Sequence, residues 1–186
     1  MFRQLLRLVP ALVLAGLAFV VLTGPRQASA KNDRVHVYPA DSRVVKQIRH
    51  YQGVTWHWQG VMGVRHTPSS RATLSDPSIR FKLWVRDTWR RRAHRVLRQA
   101  VRPPHKSAWL CIHHYEGAWT DPSPPYYGGL QMDLGFQRTY GRELLRRKGT
   151  ANHWTPLEQM WVAERAHRSG RGYYPWPNTA RYCGLI

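Results

Sequence analysis

The stretch from Trp109 to Gln131, WLCIHHYEGAWTDPSPPYYGGLQ, restricts the fold of this chain more than any other. It opens as a short apolar helical run and is then broken by Gly117, Pro122, Pro124, Pro125, Gly128 and Gly129, which end regular elements or bend them. A domain built around it consists of short helices gathered about a stiff loop. Trp109, Ile112 and Glu116 recur at i, i+3 and i+7, so a helix carries all three on one stripe and turns Glu116 toward the apolar side. A carboxyl group beside Tyr115 and Trp119 loses hydration, and desolvation favours the protonated form that a general acid needs. Across the loop, the prolines restrict the backbone before binding and Tyr126 and Tyr127 offer flat faces with polar tips. Gly128 and Gly129 permit close approach to the main chain, and Gln131 adds a donor and an acceptor. The same residues also suit plain packing, with tyrosines in a core and glycines in a turn.

The 186 residues hold one ordinary domain plus extras. Residues 1–30 have the form of a cleaved export signal: Arg3 and Arg7, an uncharged apolar run from Leu8 to Leu22, and small residues up to Ala30. That run contains Pro10 and Gly16 and falls short of the roughly 20 residues that span a bilayer, so export is favoured over a membrane anchor. From Lys31 onward, 26 Lys and Arg stand against 10 Asp and Glu, a formal +16 that draws the chain to polyanions. For an exported protein the partners expected are anionic cell-wall polymers or a membrane surface. No nucleic-acid motif accompanies the charge, so no specific nucleic acid is expected. Cys111 and Cys183 are the only cysteines, and after export they pair. Closing a loop of about 70 residues contributes about 2 to 4 kcal/mol and ties the C-terminus to the helix of Glu116.

Charge divides the mature chain into a basic region, 31–106, with 17 basic and 4 acidic residues, and a region 107–186 with 9 and 6. Pro103-Pro104 lies at the step and stiffens the join. Residues 31–70 show alternation at Val35, Val37 and Tyr38 but no assignable fold. Trp56 and Trp58, at period two, read as one face of a strand or the cover of a small core before they read as carbohydrate platforms. Ser75-Asp76-Pro77 starts a helix over about 77–101. Its partial apolar stripe is Ile79, Leu83, Trp84, Val96, Leu97 and Ala100, and arginines crowd the remainder. Such a helix holds a wall polymer or membrane surface, or else packs against the following domain with a solvated basic face. Further on, Asp133 to about Arg147 is helical with interruptions at Gly135 and Gly141. Thr155-Pro156-Leu157-Glu158 forms a capping box for a helix that ends near Gly170 or Gly172.

Trp109, Glu116, Gly117, Trp119, the run Tyr126-Tyr127-Gly128-Gly129-Leu130-Gln131, the helix with Gln159 and Ala163-Glu164, and Trp176-Pro177 followed by a cysteine together resemble the catalytic domain of the resuscitation-promoting factors. The resemblance covers roughly residues 107–183 and none of the basic region. It implies a mainly α, lysozyme-like (α+β) catalytic domain with a substrate cleft at 107–186. In it Glu116 protonates the glycosidic oxygen between N-acetylmuramic acid and N-acetylglucosamine in peptidoglycan strands, and Trp119, Tyr126, Tyr127, Gly128, Gly129 and Gln131 line the cleft. The family's disulfide joins a cysteine just before the glutamate to one just after the Trp-Pro pair, whereas Cys111 lies five residues ahead of Glu116 and Cys183 six beyond Pro177. Both ends shift by about a turn, which is compatible with a surviving Cys111–Cys183 bridge.

Asp121 and Asp133 are the nearby candidates for a second carboxylate, and neither has the context of a nucleophile or base. A one-glutamate lytic transglycosylase requires none, so that route is favoured over hydrolysis by a muramidase. The histidines, including His113-His114, His105, His153 and His167, lack metal-site spacing, and no phosphate loop or nucleophile elbow is present; no metal or cofactor is expected. The sequence thus points to a secreted, monomeric, peptidoglycan-cleaving enzyme of the cell wall. Its competitor is a non-catalytic cationic wall-binding or antimicrobial protein on the same fold.

Overall fold

The computed structural model describes residues 39–186; the export signal expected at 1–30 and the alternation from Val35 to Tyr38 lie outside the described residues. The described chain is mainly helical: α1 (Pro39–Met62), α2 (Ala72–Ser75), α3 (Ile79–Ala100), α4 (Lys106–Glu116), α5 (Leu134–Tyr140), α6 (Arg142–Lys148), α7 (Pro156–Ala166) and α8 (Pro177–Tyr182). Strands β1 (Tyr126–Tyr127) and β2 (Met132–Asp133) pair antiparallel, Tyr126 with Asp133 and Tyr127 with Met132.

The stretch without an assignable fold is largely α1, a helix of 24 residues. A period of 3.6 sends its two tryptophans to different sides, which a strand would not. Trp56 joins a small cluster of Val44, Ile48, Val85 and Trp89 and meets Trp89 edge-on at 5.5 Å, while Trp58 packs on the larger cluster. Helix α3 starts slightly later than the sequence suggests, because Ser78 supplies the cap: its hydroxyl accepts from Phe81 N–H at 3.2 Å. Its buried stripe is Lys82, Val85, Trp89, Ala93, Val96 and Ala100. The apolar stripe read from sequence is therefore misplaced in part, with Ile79, Trp84 and Leu97 exposed. Lys82 instead holds a core position through its alkyl stem, while its ammonium reaches Asp41 at 2.8 Å.

Contacts between α1 and α3 ascend along both helices, from Asp41–Lys82 through Trp56–Trp89 to the cluster that holds Val61, Met62 and Val96. The two helices therefore run in the same direction. The returning segment is fastened to α1: the Trp56 indole donates to Thr67 O at 2.8 Å, and Gln59 both donates to the Thr67 hydroxyl and accepts from its N–H.

The charge step at Pro103-Pro104 is not a structural boundary, which corrects the division at residue 106. Val61, Met62 and Val96 share one cluster with Trp109, Ile112, Trp154, Trp161 and Trp176. The Trp161 indole donates to Ala100 O at 2.7 Å, and Arg168 donates to Met62 O. Residues 37–186 form a single compact unit. The charge asymmetry belongs to the surface of α3, and the core runs through the join. Gly141 does separate α5 from α6, because a Cβ there would lie 2.5 Å from the Trp154 ring, whereas Gly135 sits inside α5.

The capping box opens α7 as expected, with Thr155 Oγ1 accepting from Glu158 N–H and Glu158 Oε2 accepting from Thr155 N–H at 2.7 Å. Glu158 is buried and also receives Lys148 Nζ at 2.6 Å and His57 Nε2 at 3.0 Å, which ties α1, α6 and α7 together. Burial alone would raise its pKa, but hydrogen bonds from His57, Lys148 and Thr155 N–H, with the Lys148 charge, bring it from 4.5 down to about 2. The folded state thus binds this proton less readily than the unfolded chain, and stability falls as pH drops from 4.5 toward 2. Glu158→Gln is expected to cost about 3 kcal/mol at pH 7 and to flatten that acid limb in urea titrations; a variant as stable as the wild type at neutral pH would refute the tie. Removing residues 31–106 takes Val61, Met62 and Val96 out of the core, so the remainder is expected to lose its cooperative melt in near-ultraviolet circular dichroism. A cooperative transition would reinstate the two-part division.

Candidate active site

Glu116 is the last residue of α4, and Gly117 ends the helix with its N–H on His113 O. The helix is anchored by Trp109 and Ile112, both fully buried. The Trp109 indole donates to Glu164 Oε1 at 2.8 Å; the same carboxylate, buried in α7, accepts from His105 N–H at 2.7 Å. With Trp109 fixed, Glu116 arrives half-buried at the end of the same stripe.

The carboxylate meets a residue that the sequence did not single out. Thr179 Oγ1 donates to Glu116 Oε1 at 2.8 Å, and Oε2 has no partner among the described residues. Thr179 lies on α8, where Pro177 occupies the first turn and the Trp176 indole donates to Leu130 O at 2.6 Å. The bridge Cys111–Cys183 binds α8 to α4, as the cysteine count predicts. Thr179 and Cys183 stand at i and i+4, so both face α4. That spacing was the available signal for Thr179. Tyr115 leans on Tyr182, with ring centroids 5.6 Å apart and both rings exposed, and Trp119 stacks on His113 at 3.9 Å. The contact that orients Glu116 is therefore the threonine hydroxyl, and the two aromatic rings expected to hem it are engaged with other rings.

The loop between β1 and β2 corrects two expectations. Gly128 and Gly129 are buried, and every polar main-chain atom of the pair is taken. Gly128 N–H donates to Asp121 O, Gly128 O accepts from Gln131, Gly129 N–H donates to Gln159 Oε1 at 2.9 Å, and Gly129 O meets His113 Nδ1 at 3.2 Å. A Cβ at Gly128 would lie 2.5 Å from Gln159 Oε1, and one at Gly129 would lie 2.6 Å from His113 Nδ1 and 2.8 Å from the Trp119 ring. The glycines thus admit protein, not substrate, to the main chain. Gln159 is fully buried and also donates to Trp119 O at 2.8 Å and Ala151 O at 2.9 Å, so one amide holds the loop, the Trp119 segment and the α7 entrance together. Of the remaining lining residues, Tyr126 is exposed, Tyr127 packs partly into the core, and Gln131 is half-buried with a positive φ of 45°.

Gln131 Nε2 donates to Asp121 Oδ2 at 2.8 Å, and both of these atoms lie 3.4 Å from the Cβ position of Gly117, the neighbour of Glu116. Asp121 and Gln131 therefore meet beside the main chain that follows Glu116. Hydrogen bonds from the Ser123 hydroxyl and N–H, and from Gln131, hold the Asp121 carboxyl below its ordinary value, so it stays ionised. Asp133 accepts from Phe136 N–H at 2.7 Å and serves as the cap of α5.

Elsewhere, His105, Glu164 and His167 bring ligand-type atoms within 4.8 Å of one another. Both Glu164 oxygens already have partners, Trp109 and His105 N–H on Oε1 and His105 Nδ1 on Oε2 at 3.1 Å, which fits a buried hydrogen-bond hub better than a metal ligand. Burial, then the neighbouring His105, lower the His167 pKa, against a smaller opposing effect of Glu164. Cavities of about 540 and 570 Å³ are lined by residues of α1, α6 and α7 and by the ends of α3 and α7, and neither includes Glu116. No family model matches the chain, and no curated protein or solved structure does either.

Gly129→Ala is expected to destabilise by about 1 to 3 kcal/mol through overpacking, because its neighbours are two rings already in contact. Gly53→Ala, on an open helical surface, is expected instead to stabilise by about 0.5 to 1 kcal/mol. Urea denaturation of both variants checks this, and equal effects would show that the loop does not press on His113 and Trp119.

Proposed function

We propose that this protein is an exported enzyme that cleaves the bond between N-acetylmuramic acid and N-acetylglucosamine in peptidoglycan, with Glu116 as its acid and then its base. The observation that supports it most concerns the nine carboxylates among the described residues. Eight of them hold a cation or a main-chain N–H: Asp41, Asp87, Glu143 and Glu158 pair with Lys or Arg, and Asp76, Asp121, Asp133 and Glu164 accept from the backbone. Glu116 has neither, so its carboxyl is not committed to a structural ion pair or a main-chain cap and can be offered to a glycosidic oxygen, as a proton donor requires. The Thr179 hydroxyl orients one oxygen and leaves the other for substrate.

The chemistry follows from a single mobile proton. Glu116 gives its proton to the glycosidic oxygen as the C1–O bond breaks, and the N-acetyl carbonyl of the muramic residue stabilises the cation at C1. The carboxylate then takes the proton of the 6-hydroxyl as O6 bonds to C1, which leaves a 1,6-anhydro end and returns Glu116 to its starting state. No second mobile carboxylate is required, which suits a site where Asp121 is held ionised by three donors and Asp133 caps a helix. Tyr126 and Gln131, with the exposed pair Tyr115 and Tyr182, offer the sugar-facing surfaces, and Trp119 braces the wall from behind. This arrangement, with the resemblance over residues 107–183, supports a lysozyme-like domain and a lytic transglycosylase.

The test is release of muropeptides from purified peptidoglycan, read by mass spectrometry. Glu116→Gln is expected to lower the rate by at least about a hundredfold, and Thr179→Val by about tenfold with little change in stability. Anhydro ends identify the transglycosylase, and reducing ends the hydrolase. No release by the wild type across pH and salt, or equal release by Glu116→Gln, would leave a non-catalytic wall-binding protein.

A further inference from the structure

We propose that the outer face of α3 docks on an anionic phospholipid surface and holds the protein there. Burial of Lys82, Val85, Trp89, Ala93, Val96 and Ala100 turns the opposite side of this 22-residue helix to solvent. On that side Trp84, Arg91, Arg95 and Arg98 follow one another at steps of 7, 4 and 3, which keeps them on a single stripe, and Arg102 follows just past the helix end. Trp84 is 60% exposed and stacks on Phe81 with centroids 5.8 Å apart, so a large ring is held outward by a fixed neighbour. None of these four arginines has a carboxylate partner among the described residues.

Where the stripe ends, Arg95, Arg98, Arg102 and Arg168 line a cavity of about 570 Å³ over Met62, Val64 and Trp161. Arg168 is held in place by Met62 O. Four guanidinium groups around an apolar floor repel one another unless an anion enters, and a phosphate oxygen pair matches the guanidinium fork. The exposed apolar groups decide between a lipid surface and a purely hydrophilic polyanion. A polyanionic strand gains little from Trp84 or from the exposed Val64 at the cavity. At a membrane, an indole settles at headgroup depth, aliphatic groups reach the acyl boundary, and arginines meet phosphates. Among the described residues no helix is long and apolar enough to cross a membrane, so α3 lies on the surface rather than through it. The inference does not rest on Glu116 and stands or falls apart from the catalytic proposal.

The test is co-sedimentation with vesicles of phosphatidylcholine, alone or mixed with phosphatidylglycerol. It uses the exported chain and, in parallel, residues 37–186, which form one compact unit. Both are expected to bind the anionic vesicles at least tenfold more tightly, roughly as a few surface arginines allow. Arg95→Gln/Arg98→Gln/Arg102→Gln is expected to lose about a hundredfold. An equal charge change on α5 and α6, Arg138→Gln/Arg142→Gln/Arg147→Gln, should stay within about fivefold because those arginines project from other helices and exposed charges off the docking face are screened. Trp84→Ala should weaken vesicle binding several-fold and leave binding of soluble polyphosphate unchanged. Equal losses from the two triple variants would reduce the effect to net charge and overturn the proposal. Vesicle binding that ignores Trp84→Ala would overturn it in favour of a polyanionic polymer. All these positions are exposed, and thermal melts identify any variant that fails to fold.

Discussion

The buried carboxylate of Glu164 sets the geometry on which the candidate site depends. A carboxylate without solvent costs several kcal/mol unless its oxygens are filled. Here the Trp109 indole and His105 N–H fill one oxygen and the His105 ring approaches the other. Only one rotation of α4 about its axis brings an indole to that point, so satisfying Glu164 fixes which side of α4 faces inward. At 1.5 Å per residue the seven-residue step from Trp109 carries the consequence about 10 Å along the helix to Glu116. The acid is thus placed by a hydrogen bond it takes no part in.

Two more buried polar side chains on α7 work in the same way. Glu158 draws Lys148 from α6 and His57 from α1, and Gln159 holds the glycine loop and the main chain at Trp119 and Ala151. Each would be expensive alone in the interior, and each is offset by partners from a different element. Helix α7 therefore acts as the axis of the domain. Its contacts reach α1 and the end of α3 as well as the loop, which explains why residues 39–106 and 107–186 share one core. Polar groups with single satisfiable arrangements give the packing a register that interchangeable aliphatic contacts do not.

Features written locally were legible in the sequence. The capping box at Thr155, the stop at Gly117, the inward stripe of Trp109 and Ile112, and the pairing of the two cysteines follow from spacing or composition, and each stands in the structure. What failed depended on partners far along the chain. Lys82 reads as a surface residue until Asp41, 41 positions away, is seen to neutralise it, and Trp84 on the same helix faces outward. The glycines of the loop read as openings for a ligand because Gln159, His113 and Trp119, which fill that space, come from other elements. Thr179 carries no motif, and its contact with Glu116 spans 63 positions.

The use of acids in the architecture also accounts for the character of the surface. Asp41, Glu158 and Glu164 face inward or across helix seams, Asp76, Asp121 and Asp133 close turns or cap a helix, and Asp87 and Glu143 neutralise only Arg86, Arg90 and Arg146. Almost no negative charge is left to offset the remaining arginines, so the excess appears outside and gathers on α3 and near the end of α7. A cationic face produced in this way is rigid, because its arginines project from a helix whose inner side is locked into the core. It therefore presents charges at fixed spacing around Trp84, and a flexible tail of equal charge would not. Rigidity of this kind converts a general attraction to anions into a defined orientation at an interface.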